Sequence, residues 1–216
     1  MIGDKLIIKE EHAYAAGRIA EILIPRIKNG QKIAAISIAG ESGAGKSEIA
    51  WSLKQKLEDS GYKTLILQQD DYFVYPPKTN AGMREQNIEH VGVSEVHLDK
   101  IDRNLRKIMA KDKWLRKPLV LYDEDRITTE TIPLEGILVV IVEGTYTTLL
   151  KNIDYRVFID RNFRDTRHSR KERSRESQDA YLEKILRIEH EIISKHKRMS
   201  DILVHRDYSV DINEKK

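Results

Sequence analysis

The sequence predicts an α/β fold with a mainly parallel sheet flanked by helices. Two observations predict it. Short runs rich in Ile, Leu and Val at 33–39, 63–67, 137–142, 156–159 and 202–204 are interspersed with helical apolar spacing near 8–28, 46–59, 94–110 and 178–197. The first of these runs, Ile33 to Ala39, is apolar at odd and even positions alike, as a strand covered on both faces must be. In such sheets ligands bind at the carboxyl ends of the strands, which locates the site in advance.

Each element has its own warrant. Ala16, Ile19, Ala20, Leu23 and Ile27 share a helical face, and Asn29-Gly30 ends that helix before the first strand. The segment 118–133 departs from the alternation. There Leu119 to Tyr122 and Ile127 to Ile132 flank Asp123-Glu124-Asp125-Arg126, which predicts a small hairpin projecting from the sheet. Trp51 and Trp114 are expected to serve the core or its edge. With 216 residues, no internal repeat and no Gly/Ser/Pro linker, the chain is expected to form one domain spanning 1–216.

Composition narrows the function classes. With 40% hydrophobic and 34% charged residues the chain has the balance of a globular protein. The longest aliphatic run, Ile137 to Val142, falls far short of the roughly 20 residues that cross a bilayer. No leader pattern opens the sequence, so a cytoplasmic protein without a membrane partner is expected. The absence of cysteine excludes disulfides, thiolate catalysis and Cys-based zinc sites. A net charge of +3 does not single out nucleic acid as a partner. The oligomeric state, homo-oligomer included, stays open.

Directly after the first strand stands Gly40-Glu41-Ser42-Gly43-Ala44-Gly45-Lys46-Ser47, which satisfies G-x-x-x-x-G-K-[ST] at every fixed position. This makes the fold of P-loop NTPase type. Glycines let the loop wrap its N–H groups around a polyphosphate without Cβ atoms in the way, and the following helix terminus favours the anion. Lys46 supplies charge to the outer phosphates, and the Ser47 hydroxyl is a ligand for Mg²⁺. ATP and Mg²⁺ are therefore the expected cofactors.

The loop alone does not separate kinases from other nucleotide proteins. A guanine-specific N-K-x-D and the L-S-G-G-Q transporter signature are both absent. A kinase needs a carboxylate at the end of a second strand, to hold Mg²⁺ or to accept the proton of an attacking hydroxyl. The run 63–67 leads into Gln68-Gln69-Asp70-Asp71-Tyr72-Phe73, pairing acids with aromatics that could stack on a flat substrate. Glu143 ends another buried run and is followed by Gly144, which suits a metal-linked or water-positioning role.

These residues resemble the uridine kinase and phosphoribulokinase group of P-loop kinases, over about Ile33 to Tyr208. The likeness lies in GESGAGKS, in QDDYF at 69–73, in Asn87-Ile88-Glu89-His90, in Tyr122-Asp123, in Glu143-Gly144 and in Asp165 to Arg170. The closing SDILVHRDY at 200–208 is similar as well. The resemblance implies that Asp70 is the catalytic base and that Ser47, Asp70 and Glu143 surround Mg²⁺. It implies that His90 and Tyr122 touch a nucleoside, with Asp71, Tyr72 and Asp123 beside them. Aligned instead with the corresponding segment of pantothenate kinases, Asp71 to Pro76 would make Asp71 the base. For a sugar-phosphate acceptor, Arg84 or Arg126 would bind its phosphate.

Between Arg161 and Glu176 seven cations face three acids, a local excess above that of the whole chain. Arg161, Arg164, Arg167, Arg170 and Arg173 recur every third residue and on a helix would form one drifting stripe. As a lid over 161–176, this segment would bring Arg167, Arg170 and Arg173 to the transferring phosphoryl group and exclude water. The register of Arg173 against Arg175 is open. The reading of another class is a P-loop ATPase that binds nucleic acid through this stripe. His205-Arg206-Asp207 lacks the downstream Asn of a protein-kinase catalytic loop. His190 and His196 are expected to be surface or packing residues. The function expected is phosphoryl transfer from ATP to a small-molecule hydroxyl, a uridine or cytidine first, with a sugar phosphate or pantothenate as alternatives.

Overall fold

A computed structural model describes residues 1–2, 6–27, 32–173 and 180–213. Five parallel strands form the body of the sheet: β1 (Ala34–Gly40), β2 (Thr64–Gln68), β5 (Val139–Glu143), β6 (Tyr155–Ile159) and β7 (Ile202–Val204). They stand in the order β2-β5-β1-β6-β7, and a short antiparallel β8 (Val210–Ile212) closes the edge beyond β7. The expected mainly parallel sheet is present, and β8 is an addition whose three residues carry no periodic signal.

The double-sided apolarity of the first strand has a direct physical reading. Ile36 and Ile38 join a core with α1 (Glu10–Leu23) and α2 (Lys46–Asp59), whereas Ala35 and Ala39 face a second core with α4 (Leu98–Met109). Ala15, Ala16, Ile19, Ala20 and Leu23 lie on the buried face of α1, and the three alanines let it lie close against α2. α1 stops at Leu23, where Pro25 cannot continue an α-helix, and a 3-10 turn completes the segment.

Several elements differ from expectation. The hairpin is longer, with β3 (Trp114–Leu121) paired to β4 (Arg126–Pro133) from Trp114↔Pro133 to Leu121↔Arg126. Pro118 sits inside β3 opposite Thr129, which an edge strand tolerates. A helix α3 (Pro77–Gln86), which was not expected from the sequence, starts at Pro77, because proline at the first helical position costs no hydrogen bond. Trp51 and Trp114 are 41% and 59% exposed, so neither belongs to the core. The arginine stripe is also broken. Asn162 Oδ1 accepts the amides of Arg164 and Asp165, forming a turn, and α5 (Arg167–Arg173) begins only afterwards. Arg161 and Arg164 thus lie off the helix. Beyond the undescribed residues, α6 (Ala180–Ile193) returns to the body of the protein.

Candidate active site

β1 delivers the phosphate loop at the carboxyl edge of the sheet, and α2 starts at Lys46. Gly43 and Gly45 have φ of 74° and 97°, the left-handed region that favours glycine. A Cβ on Gly45 would come within 3.0 Å of His12 Nε2, and one on Gly43 within 2.8 Å of Arg170 Cγ. Lys46 Nζ donates to the Glu41 carbonyl at 2.9 Å, closing the loop on itself. This is a cradle that glycine alone keeps open, and it fits a triphosphate.

Glu143 ends β5 and is buried. Its Oε1 accepts from Ser47 Oγ at 3.2 Å and from Gln68 Nε2 at 3.4 Å. Burial, and then the negative charge of Asp70, push its carboxyl up to about 7. Two acids that repel each other stand beside a serine hydroxyl, with Lys46 as a nearby cation that only partly offsets them, and this hard oxygen set fits Mg²⁺ held by Ser47, Asp70 and Glu143. No cluster of three or more His, Cys, Asp or Glu able to hold a metal occurs among the described residues. Mg²⁺ completes its shell with water and phosphate oxygens, so a smaller protein set suffices.

The adjacent aspartates have opposite fates. Asp71 is 2% exposed, and its oxygens take Lys117 Nζ at 2.7 Å and the Val120 amide at 3.0 Å. The amine of Met1 is 2.9 Å from it as well. Lys117 is itself buried and also meets Glu130 at 2.6 Å. Asp71 is thus the anchor that ties the hairpin to the sheet. Asp70 faces the other way and lines a cavity of about 290 Å³ together with Ser42 of the phosphate loop.

That cavity sorts the expected acceptor residues. Tyr122 lines it. Tyr72 does not: it is fully buried against α4, with its hydroxyl accepting from Asn104 at 2.8 Å. His90 stands behind the wall, its Nε2 3.0 Å from Asn80 Oδ1 and its ring 5.8 Å from that of Tyr75. Asp123 and Arg126 lie exposed at the hairpin tip, where Arg126 pairs with Glu124 at 2.6 Å. Phe73 and Arg84, both offered by the sequence as acceptor-side residues, also line it, together with Tyr75, Asn80 and Glu189, which the sequence did not place there. Asn80 and Arg84, four residues apart on α3, would have shared a face had that helix been foreseen. Arg84 reaches Glu95 and Glu189, the latter at 3.0 Å, and these bonds raise its pKa against the opposing effect of burial. A larger groove of about 570 Å³ lies at the opposite edge of the sheet, beside Trp114 and Gly136, and contains none of these groups.

Arg164, Arg167 and Arg170 line one cleft with Phe163, Leu182 and Leu186. Arg170 donates to the Phe163 carbonyl at 2.7 Å and to Thr166 Oγ1. Arg173 closes α5, but its side chain and all of Arg175 lie outside the described residues. Arg161 instead binds the Tyr208 hydroxyl, away from the cleft. His190 is partly exposed and packs edge-on against Phe163, in keeping with a surface or packing residue, but it also makes a polar contact that the sequence did not announce. Its Nδ1 lies 2.5 Å from Glu41 Oε1, and Glu41, buried within the phosphate loop, has its carboxyl raised by burial against the pull of this bond. His196 is buried, in keeping with packing.

A parallel sheet with a phosphate loop after its first strand, and acids at the tips of two neighbouring strands, defines a P-loop kinase that uses ATP with Mg²⁺. The sequence model of the phosphoribulokinase / uridine kinase family matches residues 35–174. The chain belongs to that family and is a phosphotransferase. A uridine kinase from Leuconostoc citreum is 29% identical over 81% of this chain and 88% of its own length. A bifunctional alpha-galactosidase/sucrose kinase from Mediterraneibacter gnavus is 25% identical over 84% of this chain, which corresponds to 21% of that larger protein. Among solved structures, a D-glycerate 3-kinase from Cryptococcus neoformans superposes with a TM-score of 0.65 at 12% identity, covering 95% of this chain and all of that one. Among the described residues no helix is long and apolar enough to cross a membrane.

Proposed function

We propose that this protein, acting as a single domain in the cytoplasm, transfers the γ-phosphoryl group of ATP to a hydroxyl of a neutral acceptor, a pyrimidine nucleoside first. The lining of the acceptor cavity carries this reading. Its charged side chains balance, Asp70 and Glu189 against Lys78 and Arg84, and Arg84 is already held by two carboxylates. The Met1 amine, which also lines the cavity, is paired with Asp71, so these groups leave no uncompensated positive charge for an acceptor phosphate. Phe73, Tyr75 and Tyr122 offer ring faces on which a base can stack. Arg126, the other candidate for an acceptor phosphate, is spent on Glu124 at the exposed tip. Two of the named relatives, a uridine kinase and a sucrose kinase, act on neutral polyols, whereas the family name also covers phosphoribulokinase, so the cavity lining carries the choice.

Asp70 accepts the proton of the attacking hydroxyl at the edge of this cavity. Bound ATP with Mg²⁺ supplies the group to be transferred and a cation that balances its charge. Ser47, Asp70 and Glu143 would hold that cation, and Lys46 answers the outer phosphates. Arg167 and Arg170, from the segment over the loop, meet the charge that develops in transfer and help keep water out. Little covalent chemistry is asked of the protein, so position and electrostatics supply most of the rate.

ATP consumption measured with uridine, cytidine, sucrose, ribulose 5-phosphate, pantothenate and RNA in turn tests the reading. Uridine or cytidine should give the highest kcat/KM. A preference for ribulose 5-phosphate or pantothenate would overturn the neutral acceptor, and stimulation by RNA alone would overturn the small-molecule kinase.

A further inference from the structure

The phosphate loop carries a carboxylate where a triphosphate must bind. Glu41 occupies the second position of the motif, where the pattern asks for no particular side chain, and its charge opposes that of the ligand. The chain keeps this carboxylate turned under the loop. Oε1 accepts from His190 Nδ1 at 2.5 Å, and Oε2 accepts from the Phe163 amide at 2.6 Å. These two partners stand on either side of α5 in the chain, since Phe163 precedes it and His190 lies on α6 behind it. The Phe163 and His190 rings meet edge-on with centroids 5.7 Å apart, and Phe163 packs with Leu182 and Leu186 in a small apolar cluster. Arg170 closes the circuit. Its guanidinium returns to the Phe163 carbonyl while its stem lies against Gly43 of the loop.

We propose that His190 is a positioning residue of the donor site: by donating to Glu41 it holds that carboxylate away from the bound triphosphate and fixes the base of the arginine segment to the phosphate loop. Removing the imidazole frees a buried negative charge next to the phosphate cradle. It also removes one of the contacts that hold the elements around α5 to the loop. The proposal rests on ATP binding and not on the identity of the acceptor, so calorimetry with MgATP and no acceptor tests it separately from the acceptor reading.

His190→Ala should weaken MgATP binding on the order of tenfold, within the range usual for coupling between neighbouring sites. His190→Asn, whose amide nitrogen overlays Nδ1, should stay within about twofold of the parent protein. Adding Glu41→Gln to His190→Ala should restore MgATP affinity, because the repelling charge is gone, while kcat stays low, because the segment remains untied. A purely structural role for His190 predicts neither the affinity recovery nor its separation from kcat. Unchanged affinity in His190→Ala, or no recovery in the double variant, would overturn the proposal. Should His190→Ala fail to fold, His190→Asn and His190→Gln decide. Equal affinity in those two would overturn the proposal, since the Gln amide reaches one bond too far to replace Nδ1.

Discussion

Replacing Glu143 by Gln isolates the charge at the centre of the site. The substitution preserves shape and can still accept from Ser47 and Gln68, so the negative charge is what it removes. In the ligand-free protein that charge is costly, because burial and Asp70 lift the carboxyl from 4.5 to about 7. Such a displacement corresponds to roughly 3 kcal/mol carried by the ionised form. The sign follows from proton uptake: between the two values the folded chain holds a proton that the unfolded chain has released. The stability associated with that proton is complete below about pH 4.5 and is lost as pH rises through about 7. Glu143→Gln escapes the loss. Urea unfolding should therefore find the ligand-free variant more stable than the parent by about 1 kcal/mol near pH 5 and by about 3 kcal/mol near pH 8.5. With MgATP present the order should reverse at the higher pH, because a ligand that binds only the intact site stabilises the folded state by mass action. A gap that does not change with pH, or a variant less stable than the parent near pH 8.5, would refute the electrostatic account of this site.

Other perturbations separate the remaining roles. Asp70→Asn should bind MgATP in calorimetry yet lose phosphoryl transfer by about 10²- to 10⁴-fold, the usual contribution of a general base, and near-normal turnover would remove Asp70 from that role. Lys117→Met leaves Asp71 with fewer partners for a buried charge and should cost about 3–5 kcal/mol in urea unfolding, as breaking a buried pair does. Tyr122→Ala should raise the acceptor KM roughly threefold to tenfold with kcat little changed, the scale of one lost aromatic contact, as initial-rate measurements would show.

What could be foreseen was local. The phosphate loop, the buried runs and the acid at the tip of β5 are each specified by neighbours within a few positions, and they stand where the pattern put them. What could not be foreseen depends on partners far away in the chain. Asp70 and Asp71 are indistinguishable until the fold brings Lys117, 46 residues later, beneath only one of them. Tyr72 reads as a stacking residue beside acids, and only the packing of α4 turns it inward to Asn104. Glu41 and His190 are 149 residues apart, and neither carries a motif that announces the other. The period of three in the arginines suggested one continuous helix. The Asn162 side chain competes for the backbone and delays its start, which no count of apolar positions reveals.

The buried lysine beneath Asp71 has a consequence for how acceptors are discriminated. The proposed base and its neighbour share one turn, and that neighbour is tied to the hairpin two residues from Tyr122. If Asp70 is the base, as proposed, a misfitting compound that displaced the Tyr122 wall would also displace the proton acceptor, and impostors would dwell in the chamber yet go unphosphorylated.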